Sequence, residues 1–172
     1  MAKPRTIPYE RALSGINLEK HWTAGERIEW VQTSVQNWPF AYKHRSVLRT
    51  GSRFAEGLFV QLDYKAGIIG GLPERLYFGL FVDGARTCAL DEDGVSGHIN
   101  KIGAGQPFYR CVVGHPHVHI PVPDGSYGYA EPVQRLPLHE LWQVFLSRAN
   151  IIGAPPLELP GGETSAGQMR LL

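Results

Sequence analysis

Residues 75–91 read RLYFGLFVDGARTCALD, a run that predicts two strands joined by a tight turn. Arg75 to Val82 is almost continuously apolar, as in a buried strand, and Arg86 to Asp91 resumes the extended pattern. Asp83-Gly84 between them is a strong hairpin signal, because a type I′ turn needs positive φ at both central positions. The sequence therefore predicts an antiparallel hairpin here.

Segments on either side of this hairpin extend the pattern. Phe54 to Ala66 alternates between an apolar and a more polar face, which is typical of a half-buried strand. Phe108 to Val113 and Val118 to Val122 are further predicted strands. A helix is predicted between Pro137 and Gly153, and its apolar stripe comprises Leu138, Leu141, Trp142, Phe145 and Ala149.

These elements together predict one α+β domain over residues 1–153. Its core is an antiparallel β-meander sheet with the C-terminal helix packed on it. The Pro- and Gly-rich residues 154–172 are expected to form a C-terminal tail.

Composition excludes several classes of protein. The 172 residues carry a formal net charge of +1, so overall charge does not drive binding to nucleic acid or membranes. No apolar run reaches signal-peptide or membrane-span length, which leads us to expect a cytoplasmic protein without a membrane partner. Cys88 and Cys111 form no CxxC pair, which argues against a cysteine zinc site and predicts two buried, reduced thiols.

Basic side chains are concentrated between residues 43 and 53, where there is no acid. Lys43, Arg45 and Arg49 are candidate substrate-binding residues, because Lys and Arg neutralise phosphate groups. The alternative is a solvated face. Arg110 is a further candidate, since a buried Arg in the strand before the histidines would clamp a phosphate; the alternative is a salt bridge.

The main candidate site is the run GHPHVHIP at residues 114–121. Alternate side chains of an extended chain share a face, so His115, His117 and His119 are expected to converge. Pro116 and Pro121 cannot donate to a sheet ladder, which predicts that this strand is an edge strand or a bulged one.

Three interpretations of this cluster stay open. His115, His117 and His119 are candidate ligands of a divalent metal, since three imidazoles and an open position form a catalytic zinc arrangement; other candidate ligands are His98, His139, Asp91 and Glu131. Alternatively, His117 and His119 act as base and acid near a phosphate, with His98 as a third catalytic candidate. In the plainest interpretation, the histidines only hydrogen-bond their own loop.

The run from His115 to Val122 alternates histidine with apolar residues, and Ala104-Gly105-Gln106 precedes it. In this it resembles the histidine-triad motif of nucleotide hydrolases and transferases. The resemblance implies that His117 is a nucleophile on phosphorus and that His119 lies beside the phosphate.

A second resemblance covers residues 75–151. Its layout is an aromatic strand, a strand ending in Asp, a His-rich turn and a Pro-His-x-His element; the residues that carry it are Tyr77, Phe78, Arg86, Asp91, His98, Asn100 and Pro116 to His119. This layout resembles that of TumE-like toxins of prokaryotic toxin–antitoxin pairs. It implies a small prokaryotic protein that acts on RNA or binds a protein partner such as an antitoxin.

The leading hypothesis from sequence is therefore a small prokaryotic toxin or defence protein that cleaves RNA phosphodiesters with a histidine pair. A histidine-triad-like nucleotide hydrolase, a His-ligated metal enzyme and a non-enzymatic binding or inhibitor module remain as alternatives.

Overall fold

The structure is a computed structural model that describes residues 5–33, 41–65, 67, 75–92 and 97–160. These residues form the helices α1 (Tyr9–Asn17) and α2 (Leu138–Arg148). The strands are β1 (Lys20–Trp22), β2 (Val31–Gln32), β3 (Ala41–Thr50), β4 (Arg53–Lys65), β5 (Arg75–Val82), β6 (Ala85–Glu92), β7 (His98–Ile99), β8 (Val112–Val113), β9 (His117–Val122), β10 (Gly125–Pro132) and β11 (Ile151–Ile152).

A nine-stranded sheet dominates the fold. Its strands follow the order β10-β9-β6-β5-β4-β3-β1-β11, with β2 also paired to β3, and β7 and β8 form a separate ribbon. The prediction of a mainly β domain with a C-terminal helix is confirmed. The sheet is mixed rather than a simple antiparallel meander, because the strand after α2 returns to lie parallel to β1.

The central hairpin forms as predicted. Asp83 and Gly84 have φ values of 50° and 78°, and β5 and β6 pair on either side of them. The alternation of β4 is also confirmed, because Leu58, Val60 and Leu62 are buried on one face.

The central strands have two distinct faces. One carries the core, where the ring of Phe78 lies 5.0 Å from Trp142 and 5.6 Å from Phe145 of α2. The opposite face carries a row of cross-strand partners, which we call the polar row: Lys43, Asp63, Tyr77, Asp91 and His117. The polar row positions the candidate site.

Strand β9 corrects one prediction. It lies between β6 and β10, so the predicted edge position is wrong, and the register shift in its pairing with β10 has the extra residues on β10 rather than on β9. Pairing with β6 ends at His119, and the register shift between Gly125 and Tyr129 of β10 lies opposite Pro121. This proline therefore occupies no position that requires an amide donor.

The predicted strand from Phe108 to Val113 is wrong over most of its length. Only β8 is extended, and the preceding residues form turns in which Tyr109 N donates to Gln106 O at 3.1 Å. The hydrogen bonds of the buried Asn100 amide outweigh the strand propensity of residues 108–111. Its Nδ2 donates to the carbonyls of Phe108 at 2.9 Å and Ala130 at 2.8 Å, which holds the loop against β10.

The segment predicted as a tail is packed over residues 154–160. The Trp142 indole donates to Pro155 O at 2.9 Å, and the Trp30 indole donates to Glu158 O at 2.7 Å. The rest of the predicted tail, 161–172, lies outside the described residues.

Two smaller expectations are also resolved. Cys88 is buried in β6 as predicted, whereas Cys111 is exposed in the turn before β8. Neither of the helices described combines the length and apolar character that crossing a membrane requires.

Candidate metal centre

His117 and His119 lie two residues apart on β9, and their side chains share a face as predicted. Both are about 1% exposed, and their Nε2 atoms are 3.1 Å apart. This face of the sheet is opposite the one that packs on α2. The two rings therefore form a buried polar site outside the hydrophobic core.

Asp91 supplies a carboxylate to this pair. It is the last-but-one residue of β6 and the direct register partner of His117. Its Oδ2 lies 3.2 Å from His119 Nε2 and 3.7 Å from His117 Nε2. Asp91 belongs to the strand, as the extended pattern of residues 86–91 predicted, and it faces the histidines.

His98 completes the cluster from the β7–β8 ribbon. One ring nitrogen from each of His98, His117 and His119 lies within 4.8 Å of the others. His98 Nε2 is 2.8 Å from Gly128 O, and His117 Nδ1 is 3.1 Å from Gly114 O. A carbonyl oxygen only accepts hydrogen bonds, so His98 Nε2 and His117 Nδ1 carry the protons. The lone pairs of the neutral rings are therefore on His98 Nδ1 and His117 Nε2.

Three donor atoms have the spacing of metal ligands. The separations of 3.1, 3.2 and 3.7 Å among His117 Nε2, His119 Nε2 and Asp91 Oδ2 define a circle of about 1.9 Å radius. A point slightly off its plane is about 2.0–2.1 Å from all three, which matches Zn–N and Zn–O bond lengths. Two imidazoles and one carboxylate on one side of an ion also form the set found in non-haem iron sites.

The protonation states favour cation binding. Burial lowers the pKa of His117 to about 4, with the rings of His119 and His115 acting in the same direction. Burial also lowers the pKa of His119, although its bond to Asp91 opposes this. At Asp91 burial acts to raise the pKa, but the His119 hydrogen bond and the Arg86 charge outweigh it. Neutral imidazoles therefore face an ionised carboxylate, as metal binding requires.

Polar atoms at this place lack partners. Asp91 Oδ1 and His119 Nδ1 are buried and have no hydrogen-bond partner among the described residues. Buried polar groups are rarely left unsatisfied, so their concentration here indicates that the site takes a ligand.

Arg86 lies at the entrance to the cluster. Its guanidinium is 4.0 Å from the centre of the Tyr127 ring and 4.6 Å from that of Tyr77. Its Nη2 lies 3.9 Å from Asp91 Oδ2. Stacking on two rings holds a permanent positive charge beside the proposed ligands.

The remaining metal candidates differ in position. The His115 ring is 4.5 Å from His117, but His115 lies in a bend before β9 and is not in the three-histidine group. His139 is exposed beside Glu140 on α2, and Glu131 faces Arg148 at 3.9 Å. These two therefore lie outside the cluster.

The phosphate-binding candidates are also dispersed. Lys43 belongs to the polar row, and its Nζ lies 3.4 Å from Asp63. Arg45 stacks on Phe59 at 3.6 Å, and Arg49 lies further along β3. Arg110 is exposed in a turn with φ 62° rather than buried in a strand, so the structure does not bring it to the histidines.

Sequence reasoning did not assign Arg86 and Tyr77 to the site. The pairing of β5 with β6 brings both residues to the site. Tyr77 is the partner of Asp91, and Arg86 follows the turn on the same strand as Asp91. Because the pairing shifts by one residue between Leu80 and Phe81, an unbroken register counted from Asp83-Gly84 would pair Tyr77 with Leu90, so the sequence alone does not place the three together.

Comparisons with known proteins add no assignment. No protein-family model matches the chain. No curated protein and no solved structure matches it either.

Proposed function

We propose that this chain binds one divalent transition-metal ion through His117, His119 and Asp91 and uses it to hydrolyse a phosphoester. His98 offers a further imidazole, because one of its ring nitrogens lies within 4.8 Å of those of His117 and His119. The observation that carries the proposal is the triangle of donor atoms, whose sides of 3.1, 3.2 and 3.7 Å fit a single ion.

The same geometry disfavours a metal-free acid and base acting on opposite sides of a phosphate. Such a pair must leave room for the phosphate between its two nitrogens. The Nε2 atoms of His117 and His119 are in direct contact at 3.1 Å, so the phosphate would have to approach both from one side.

An ion in this site would act as a Lewis acid on the phosphoryl oxygen and lower the pKa of a bound water. In hydrolysis a water would form one P–O bond as the bond to the leaving alcohol breaks, and the alcohol would take up the proton that the water gives up. Arg86 would stabilise negative charge on the phosphoryl group. The products are the alcohol and a phosphate, and no oxidant or reductant is consumed.

The test is metal stoichiometry. The chelator-treated protein should take up one equivalent of Zn²⁺, Mn²⁺, Co²⁺ or Fe²⁺ per chain, measured by elemental analysis after desalting. His117→Ala with His119→Ala should abolish this uptake, and Asp91→Asn should weaken it by about 10-fold or more. His139→Ala is the matched control, because His139 lies exposed on α2.

Uptake of no stoichiometric ion, or equal uptake by the double variant and the control, would overturn the metal centre. Hydrolysis is tested separately, by phosphate or alcohol release from nucleoside phosphates and RNA oligonucleotides with and without the metal. Turnover that persists in the double variant would show that the metal takes no part in the reaction.

RNA as substrate and an antitoxin or other protein as partner remain proposals derived from sequence. The metal centre is compatible with phosphodiester cleavage in RNA, because the same water attack applies to a diester. The described residues carry no observation that favours the inhibitor-module alternative over an enzyme.

A further inference from the structure

We infer that the open sheet face beside the metal centre is a binding cleft for a single nucleotide-sized phosphate ester, held by Arg86 at one end and Lys43 at the other. This inference rests on the proposed function, which it extends by naming the substrate class. It is carried by the register of five strands, by the cleft and by the charges that line it.

The polar row links the cleft to the metal centre. Lys43, Asp63, Tyr77, Asp91 and His117 are successive partners across β3, β4, β5, β6 and β9. Cross-strand partners point to the same face, so Lys43 and the histidines share one surface. The Lys43 and Asp91 strands are three spacings apart, roughly 14 Å.

A cleft of about 520 Å³ follows this row and reaches the metal centre at Asp91. Its volume is in the range of about 300–1,000 Å³ that is usual for small-molecule sites. A glycine lies next to Tyr77 on the same strand: Gly79 is buried, and a Cβ there would overlap the Tyr77 hydroxyl. The missing side chain lets the Tyr77 ring lie along the sheet.

The charge of the lining favours an anion. Four cationic side chains line the cleft against two carboxylates, and the six are Lys43, Lys65, Arg75, Arg86, Asp63 and Asp91. A divalent ion bound at Asp91 would increase the positive excess. Arg86 is nearest to the proposed ion, and its fork of N–H donors suits a phosphate group.

The same lining favours an aromatic group on the substrate. Tyr77 and Phe81 contribute rings to the cleft, and bases stack on such rings without sequence preference. A phosphate between the metal and Arg86 would place an attached nucleoside over Tyr77, toward Lys43. The cleft has room for one nucleotide, so this inference differs from recognition of a long RNA.

Binding measurements on the Zn²⁺-loaded full chain test this assignment, with AMP, ribose 5-phosphate and inorganic phosphate as probes. AMP should bind most tightly, because it alone engages the rings as well as the cations. Arg86→Gln should weaken AMP binding by about 10- to 100-fold, and Lys43→Ala by about 3- to 10-fold.

Arg45→Ala is the matched control and should leave the AMP affinity unchanged. Arg45 is a cation on β3, two residues from Lys43, but its guanidinium stacks on Phe59 outside the cleft. Circular dichroism of each variant identifies any that is misfolded, and Lys43, which is half-exposed, provides a variant with low folding risk.

The outcomes separate the two proposals. Arg86- and Lys43-dependent AMP binding in the metal-free His117→Ala, His119→Ala protein supports the cleft even if the wild type takes up no metal. Stoichiometric metal without AMP binding overturns the cleft while the metal centre stands. Equal losses in the Lys43 and Arg45 variants also overturn it, because the attraction would then be unspecific.

Discussion

Lys20 is a fully buried lysine that caps helix α1. Its Nζ donates to the carbonyls of Gly15 at 2.7 Å, of Ile16 at 2.9 Å and of Leu18. The last carbonyls of a helix have no partner within it, and the negative end of the helix dipole favours a cation there. One side chain thus satisfies three carbonyl acceptors at the C-terminal end of α1.

Substituting Lys20→Met should destabilise the fold by about 2–3 kcal/mol, because the buried carbonyls lose their donor while the side-chain length is kept. Urea unfolding at neutral pH measures this, with Lys101→Met, at an exposed position, as the control. Equal stability of the two variants would rule out the capping role.

The stability contributed by Lys20 should also depend on pH. Burial lowers the pKa of Lys20 to about 8, against about 10.4 in an unfolded chain. The unfolded chain then binds more protons between these values, so wild-type stability rises with pH in that window. The difference in unfolding free energy between wild type and Lys20→Met should therefore be larger at pH 9.5 than at pH 7. A constant or shrinking difference would contradict the lowered pKa.

At the scale of elements, α1 packs closely on the central hairpin through a glycine. A Cβ at Gly15 would overlap the side chain of Val82, which is buried at the end of β5. Beside this contact, Arg11 binds Asp83 in the hairpin turn through two hydrogen bonds of 2.7 and 3.0 Å. Glycine has a low helix propensity, and at position 15 its absent side chain allows the close approach.

Gly15→Ala should therefore destabilise the protein by about 1–2 kcal/mol, although alanine favours helix by up to about 1 kcal/mol. Val82 is β-branched and cannot move aside cheaply. In a double-mutant cycle, Val82→Ala should relieve part of the cost of Gly15→Ala. Thermal unfolding measures the cycle, and Ser14→Ala, on the exposed face of α1, is the control. Additive effects would contradict the steric explanation.

At the scale of the whole molecule, residues 154–160 cover one side of the core. The indole nitrogens of Trp142 and Trp30 donate to their carbonyls, and Trp142 is fully buried. A chain ending at residue 153 should be at least about 2 kcal/mol less stable than one ending at 160, since two indole donors lose acceptors and apolar surface is exposed. Guanidinium unfolding compares the two chains; equal midpoints would show that the segment contributes nothing.

Local patterns predicted the central elements. Period-two alternation predicted β4, the Asp83-Gly84 pair predicted the β5–β6 hairpin, and the apolar stripe predicted α2. The prediction was wrong for residues 108–111, where the amide of Asn100 binds the backbone from outside the segment. A long-range hydrogen bond of that kind leaves no trace in the local sequence.

The candidate site was predictable only in part. Spacing alone placed His117 and His119 on one face, and Asp91 and His98 appeared among the candidate ligands without an argument for choosing them over Glu131 or His139. The choice depends on the pairing of β6 with β9 and on the position of the β7–β8 ribbon. Arg86 and Tyr77 join the site through the same register.

Periodicity, turn residues and helix-end signals act between neighbours in the chain, so they were readable from the residues and defined the hairpin, the strands and α2. The parallel return of β11 to β1, the interior position of β9 and the meeting of Asp91 with His117 depend on contacts between distant residues. Such contacts form when the strands bury a shared core in one particular order. The free energy that favours one strand pairing over another is a property of the assembled sheet, so no single segment of sequence reveals it.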